Sequence, residues 1–380
     1  LPGATDPGPI ELAPDPCPGR CTWERTIGLP GDDKVFGAVE MADGGFVVVG
    51  NSRAPMGGEY DAWVMRLDAA GRLRWRRDFG GPGADQLFGI AEAADGTLWA
   101  AGHSRGRGAG ESDGWVLQLS PAGDVLSDRV FGGVENDRLR TVTAVGGGVV
   151  AAGFSASGPG GRDAWVLRFE GGALAWERRL GGPRSDQVFA AAGDGAEVIL
   201  AGQVNSGGEA GMDLWVFRLD DAGETVWELR RDRVRFEAAT AIVREGAGFA
   251  IAGSTGVPGT LTDDLWVLHV TGAGAVTGEA VLGGAGRDTP WGIAVGEDGV
   301  RVAAVSWSRA PRAGGDAWLV ALDAAGQALW ERHFGGAMWD RPTGLLTLRD
   351  GGLLMYGHTS SSGAGYEDGW LLRLDAEGRL

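Results

Sequence analysis

Short apolar runs alternate with glycine-rich turns along nearly the whole chain. One run stands out: Asp61-Ala62-Trp63-Val64-Met65-Arg66-Leu67. It returns at Asp113-Gly114-Trp115, Asp163-Ala164-Trp165, Asp213-Leu214-Trp215, Asp264-Leu265-Trp266, Asp316-Ala317-Trp318 and Asp368-Gly369-Trp370. The tryptophans fall 50 to 52 residues apart, and self-similarity at a fixed period marks a repeat architecture. In the second copy, residues 86–93 alternate as a strand, Asp95-Gly96 is a hairpin turn, and residues 97–104 read as the next strand. A Gly- and Ser-rich loop, 105–112, leads to a third strand at 113–119. The turn Ser120-Pro121-Ala122-Gly123 leads to a fourth at 125–131, and Gly132-Gly133 passes the chain to the next copy. Strand, short turn, strand, longer loop, strand, short turn, strand is the plan of a propeller blade.

Blades pack on both faces, so their strands should be apolar on both. Trp63, Met65 and Leu67 on one side with Val64 on the other suit this. A second tryptophan recurs on the fourth strand as Trp23, Trp75, Trp176, Trp227 and Trp330, with Ser127 and Gly278 in the other two copies. Two residues on comes an arginine: Arg25, Arg77, Arg129, Arg178 and Arg332. These read as packing and edge residues. The last copy stops short of its fourth-strand tryptophan, while residues 22–28 supply such a strand at the other end. The N-terminal strand is therefore expected to complete the C-terminal sheet. The prediction is an all-β, seven-bladed β-propeller over residues 22–380, with four antiparallel strands per blade and no open edge.

Length alone would suggest two or three domains, but a closed array counts as one. The 70 glycines recur at fixed places in the module, which rules out low-complexity filler. A net charge of −17 disfavours nucleic acid and anionic membrane as partners. No apolar run approaches the ~20 residues of a membrane helix. Residues 1–21 hold six prolines and both cysteines, and read as an extended tail. Cys17 and Cys21 could close a small disulfide loop, which would imply an oxidising compartment.

The running pattern is Phe-Gly-Gly-x-x-x-Asp (Phe79 to Asp85), Asp95-Gly96, Ala101 to Ser104, then Asp-Ala-Trp through to a later Trp, as in Asp163 to Trp176. It resembles the SBBP-type bacterial β-propeller repeat, and more loosely Kelch and quinoprotein-type blades. The resemblance implies a secreted, periplasmic or surface-exposed bacterial module with any leader removed, and it names no catalytic residue. The copy at residues 231–237 departs from the pattern by lacking Gly-Gly.

Chemistry is expected on the face carrying the long loops between second and third strands. Ten residues after each fourth-strand position comes an acid: Asp33, Asp85, Asp137, Asp186, Glu237, Asp288 and Asp340. Seven near-identical uses favour loop capping through backbone N–H groups. The alternative is a cation such as Ca²⁺ at an acidic channel mouth; no other cofactor is predicted. The position after the recurrent Ala-Gly varies among copies: Asn51, His103, Phe154, Gln203, Ser254, Trp307 and His358. A scaffold that varies one position is expected to display it. Two histidines and an amide fall short of a full metal shell. Trp291, Trp307 and Trp339 lie outside the template, near Met338, Arg341 and Tyr366, and aromatics beside polar groups suit binding.

The chain lacks a Gly-x-Ser-x-Gly elbow, a His-Glu-x-x-His pair and a phosphate loop. The expectation is a non-catalytic binding or scaffold propeller. Its contact surface would lie on blades six, seven, one and two, through Trp291, Trp307, Trp339, Arg341, His358, Asn51 and His103. A partner protein is the first expected ligand and carbohydrate the next. An enzyme with a carboxylate-lined mouth, a hydrolase, lyase or quinone-dependent dehydrogenase, is the other class.

Overall fold

The computed structural model describes residues 21–28, 31–54, 58–158, 161–205, 211–233, 236–309 and 315–380. The proline-rich tail and Cys17 lie outside them, and with Cys17 its expected pairing to Cys21.

The described residues form seven four-stranded antiparallel sheets. Blade one is β2 (Asp32–Glu40), β3 (Phe46–Arg53), β4 (Asp61–Leu67) and β5 (Leu73–Phe79), and it closes against β1 (Trp23–Ile27) of blade seven. Blade two is β6 (Asp85–Glu92), β7 (Leu98–Ser104), β8 (Asp113–Leu119) and β9 (Val125–Phe131). Blade three is β10 (Asp137–Val145), β11 (Gly148–Gly158), β12 (Gly161–Glu170) and β13 (Ala173–Leu180). Blade four is β14 (Gln187–Asp194), β15 (Glu197–Val204), β16 (Asp213–Leu219) and β17 (Thr225–Arg231). Blade five is β18 (Glu237–Glu245), β19 (Gly248–Gly256), β20 (Asp263–Thr271) and β21 (Val276–Leu282). Blade six is β22 (Asp288–Gly296), β23 (Gly299–Ser306), β24 (Asp316–Leu322) and β25 (Ala328–Phe334). Blade seven is β26 (Asp340–Thr347), β27 (Leu353–Thr359) and β28 (Asp368–Leu374), completed by β1. The chain is thus a seven-bladed β-propeller. Its ends are fastened by the register Trp23↔Arg373 to Ile27↔Gly369. No helix among the described residues is long and apolar enough to cross a membrane.

The recurrent tryptophan explains why the blades hold together. All seven, from Trp63 to Trp370, are at most 3% exposed. Each packs on the preceding blade: Trp115 meets Val47, Val49, Ala62 and Val64, and Trp266 meets Ile199, Ala201, Leu214 and Val216. Trp63 closes the ring against Leu354 and Leu371 of blade seven. In six blades a glycine stands opposite this tryptophan, because a side chain there would run into the innermost strand's backbone: a Cβ on Gly102 would lie 1.8 Å from Gln86 O. A Cβ on Gly50 would lie 2.3 Å from the Trp63 ring and 2.0 Å from the Lys34 carbonyl oxygen.

The outer tryptophans reach forward instead. Trp23 Nε1 donates to Ala69 O (3.0 Å), Trp176 Nε1 to Asp221 O (2.8 Å) and Trp227 Nε1 to Gly272 O (3.0 Å), each in the next blade's turn. The arginine two residues on lies over the indole, at 5.6 Å for Arg25 on Trp23 and 5.4 Å for Arg178 on Trp176. The second repeated tryptophan and its arginine are therefore inter-blade ties.

Candidate functional site

The innermost strands β2, β6, β10, β14, β18, β22 and β26 line the central channel. Each carries one extra residue where its pairing slips: Phe36, Phe88, Arg140, Phe189, Thr240, Trp291 and Thr343. These bulge residues form a half-buried ring around the axis. Phe36 and Phe88 meet edge to face at 5.1 Å, and Arg140 lies 4.9 Å over Phe88. Thr240 and Thr343 donate across to Pro290 O (2.8 Å) and Val35 O (2.7 Å) of the next blades. Toward the long-loop face lies a second ring: Lys34, Gln86, Arg138, Gln187, Ala238, Thr289 and Arg341. Each of these pairs with the variable position of its neighbouring strand.

On one side of this mouth two cavities share a wall. The larger, of about 480 Å³, is bounded by Phe189, Gln203, Phe236, Leu261, Arg287 and Trp291, among others. The smaller, of about 320 Å³, is bounded by Trp291, Val305, Trp307, Gly315, Trp339 and Arg341, and shares Arg287, Thr289 and Trp291 with the larger. Trp307 and Trp339 meet edge to face at 6.0 Å, and Arg341 lies 4.2 Å over Trp291. Burial lowers the Arg341 pKa, with Glu367 opposing the shift. Arg287 is held by Asp263 at 3.2 Å. Trp307 (37% exposed), Trp339 (45%) and Leu261 (80%) present apolar surface beside these walls. Four residues singled out from sequence, Trp291, Trp307, Trp339 and Arg341, thus meet in one place.

The other expected contact residues lie elsewhere. Asn51, His103 and His358 are 0, 2 and 5% exposed, so these variable positions are not displayed. Asn51 ties blades together, its Oδ1 accepting from Leu87 N at 2.9 Å. His103 stacks on Phe88 at 5.5 Å. Burial first, then nearby arginines, lowers the His103 pKa to about 3; burial, Lys34 and Arg341 do the same to His358. Trp307 does not occupy the variable slot. Val305 does, because Ala304 stands at the blade-six position of the recurrent glycine, opposite Trp318. The cavities accordingly span blades four to seven rather than six, seven, one and two. Phe189, Phe236 and Leu261 escaped the sequence reading. Phe189 is a bulge residue, displaced from the simple alternation, and the other two lie in or beside loops.

Six of the seven repeated acids are engaged at home. Asp33 accepts from the Ser52 hydroxyl. Asp137 accepts from Gly133 N (2.8 Å) and Ser157 Oγ (2.7 Å), and Asp186 from Gly182 N (2.6 Å) and Asn205 N (2.8 Å). Glu237 accepts from Thr255 Oγ1 (3.2 Å). Asp288 is held by Ser306 and by Ser308 Oγ (2.5 Å), and Asp340 by Gly336 N (2.7 Å), Thr359 and Ser361 Oγ (2.6 Å). Asp85 is the exception: it is wholly buried with neither carboxylate oxygen accepting a hydrogen bond among the described residues, and burial raises its pKa. Repeated acids abut an Asp of the preceding blade's Asp-x-Trp strand: the Asp163 pKa is raised by burial and then by Asp186, and that of Asp264 by burial and then by Asp288. The linking glycine leaves room for the carboxylate: a Cβ on Gly80 would lie 2.1 Å from Asp61 Oδ1. The junction into blade five has Asp232-Arg233 in place of the two glycines. There Asp213, Asp232 and Glu237 bring oxygens within 4.8 Å of one another, a geometry that a hard cation could use.

No protein-family model matches the chain, and no curated protein matches it. Among solved structures it is similar to a protein of unknown function from Dyadobacter fermentans (TM-score 0.56, 12% identity, 92% of this chain and 98% of that one). It is also similar to the β-propeller domain of the Trilobed protease from Pyrococcus furiosus (0.51, 8%, 93% and 95%) and to Sqt1 from Chaetomium thermophilum (0.51, 14%, 89% and 83%). At such identities the likeness is one of fold alone.

Proposed function

We propose that the protein is a binding propeller rather than a catalyst, and that the double cavity over blades four to seven holds an apolar segment of a partner protein. The observation that carries this is the pair of cavities joined through Arg287, Thr289 and Trp291. Their exposed wall surface is mostly apolar, with Gln203, Ser254 and several threonines set among the aromatic and aliphatic side chains, a character that suits an interface anchor site. Exposed Phe236, Leu261, Met338, Trp339 and Tyr366 extend the apolar surface over more blades than a single small molecule would cover. Arg341 has burial on one side and an indole face on the other, so an acidic residue beside the partner's apolar anchor would complement it.

The test is selection of binders from a random peptide display library with the intact chain, followed by titration. Selected peptides should pair bulky apolar residues with Asp or Glu. Trp307→Ala plus Trp339→Ala should weaken them about tenfold or more while barely lowering the melting temperature. Selection of peptides indifferent to both tryptophans, or a glycan array giving tight sugar binders at this cleft where peptides fail, would overturn the peptide reading. Turnover that depends on one of the seven repeated acids would overturn the non-catalytic one.

A further inference from the structure

The two rings at the channel mouth hold fourteen inner-strand positions. Four are cations (Lys34, Arg138, Arg140 and Arg341), and none is an acid. In a chain with 51 acidic and 34 basic residues this inverts the overall balance. Lys34 is neutralised by Glu367, and Arg341 stands by the aromatic cleft. On the opposite side, Arg138 and Arg140 lie two apart on β10, flanked by Arg105 after β7 and Arg162 on β12. Among the described residues none of these four arginines has a carboxylate in ion-pair range. Two of them lie over ring faces, Arg140 on Phe88 at 4.9 Å and Arg162 on Phe154 at 4.3 Å. The Nε atoms of Arg138 and Arg140 and Nδ1 of the adjacent His103 are buried without a hydrogen-bond partner.

Surface arginines elsewhere in the molecule are commonly matched, as Arg218 is to Asp194 and Glu197, and Arg309 to Glu331. A cluster of buried donors left with like-charged neighbours is costly unless something negative completes it. We infer that the mouth between blades two and three is a binding site for a small, multiply charged oxyanion, a polycarboxylate or a phosphate ester. Arg138 and Arg140 contact it from below, and Arg105 and Arg162 close over it from the rim. The guanidinium fork suits carboxylate and phosphate oxygens, often two at a time. Mutual repulsion supports the reading, since burial and then Arg138 and Arg162 lower the Arg140 pKa to about 10. The site is separate from the aromatic cleft and does not depend on what occupies it.

The experiment is calorimetric titration and thermal melting of the intact chain with citrate and, separately, pyrophosphate. Sodium chloride at matched ionic strength is the control. At least one of the two anions should bind and raise the melting temperature well beyond the chloride effect. The preferred one tells carboxylate from phosphate. Arg140→Met keeps a long apolar stem against Phe88 and should weaken the preferred anion about tenfold or more. Without ligand this variant should melt no lower than the parent, because a like-charge repulsion is gone. Exposed Arg105→Gln and Arg162→Gln give the same readout should Arg140→Met fold poorly. Trp307→Ala plus Trp339→Ala should leave anion binding unchanged, which separates this site from the cleft. Equal responses to citrate, pyrophosphate and chloride would overturn the inference, as would anion binding indifferent to all three arginine substitutions.

Discussion

Two sides of one mouth, built from the same blade, have become chemical opposites. Over blades four to seven the inner strands present Phe189, Thr240 and Trp291 above cavities walled by Leu261, Trp307 and Trp339. Over blades two and three the corresponding level presents Phe88 and Arg140, with Arg105, Arg138 and Arg162 around them. The difference arises at the two inner-strand rings and at loop positions, outside the buried core between blades. The buried tryptophans are constant because each holds two blades at once, and the recurrent glycines because they let a blade's two inner strands approach. The Asp-x-Trp acids accept from their own loops, as Asp113 does from Gly110 N and Asp368 from Gly365 N. Specialisation is confined to what that packing leaves free.

The largest effect tests whether the scaffold really is common to both sides. Trp115 serves the arginine side and Trp318 the cleft side, and both are fully buried against the preceding blade. Trp115→Ala and Trp318→Ala should each cost about 3–5 kcal/mol, measured by denaturant melts. Near-equal losses support interchangeable wedges. A loss on one side only would mean that the blades are not energetically equivalent, and that the contrast at the mouth reaches into the core.

A smaller effect is read by pH. His103 lies on the arginine side, facing Arg105, Arg138 and Arg140; His358 lies on the other, facing Lys34, Arg341 and Glu367. Both have folded pKa values near 3 against 6.5 when free. Stability they contribute is therefore present above pH 6.5 and is lost as pH falls toward 3, by about 1 kcal/mol per pH unit for each. The raised pKa values of Asp61, Asp85, Asp163 and Asp264 act in the opposite sense, regaining stability as those carboxyls protonate above the usual carboxylate range. Melting curves from pH 7.5 to 4.5 should be flattened by His103→Gln and by His358→Gln. The first should flatten at least as much, since Glu367 Oε1, 3.7 Å from His358 Nε2, offers a protonated His358 a partner that His103 lacks. Unchanged slopes in both variants would place the acid sensitivity elsewhere.

The architecture was legible because it repeats: Asp-x-Trp at a fixed period announced the wedge, and Trp23 announced the closing strand. The aromatic cleft was partly legible, since Trp291, Trp307 and Trp339 break the template. Variation at Asn51, His103 and His358 misled, because a position can vary by filling a different neighbour's gap rather than by facing water. Trp307 was misplaced by two residues because Ala304 replaces the glycine that marks the register. The arginine cluster went unread although its signal is in plain view. Asp137-Arg138-Leu139-Arg140 puts two cations on the channel side of an inner strand, and the bulge that brings Arg140 into line is a backbone feature without a residue signature.

The smallest effect concerns the one junction where the repeat itself departs. Asp232 stands where the other junctions have glycine, and its carboxylate joins those of Asp213 and Glu237. Asp232→Gly restores the repeat. It removes a like charge, which stabilises, and adds backbone freedom to the unfolded chain, which destabilises by about 0.5–1 kcal/mol. The two oppose, so the net change should stay within about 0.5 kcal/mol. The variant should gain on the parent at low salt and lose that advantage at high salt, where exposed charges are screened. A parent more stable than the variant by over about 1 kcal/mol, with the excess abolished by a chelator, would show that these three carboxylates hold a cation. The junction between blades four and five would then be a third specialised place on a face otherwise divided in two.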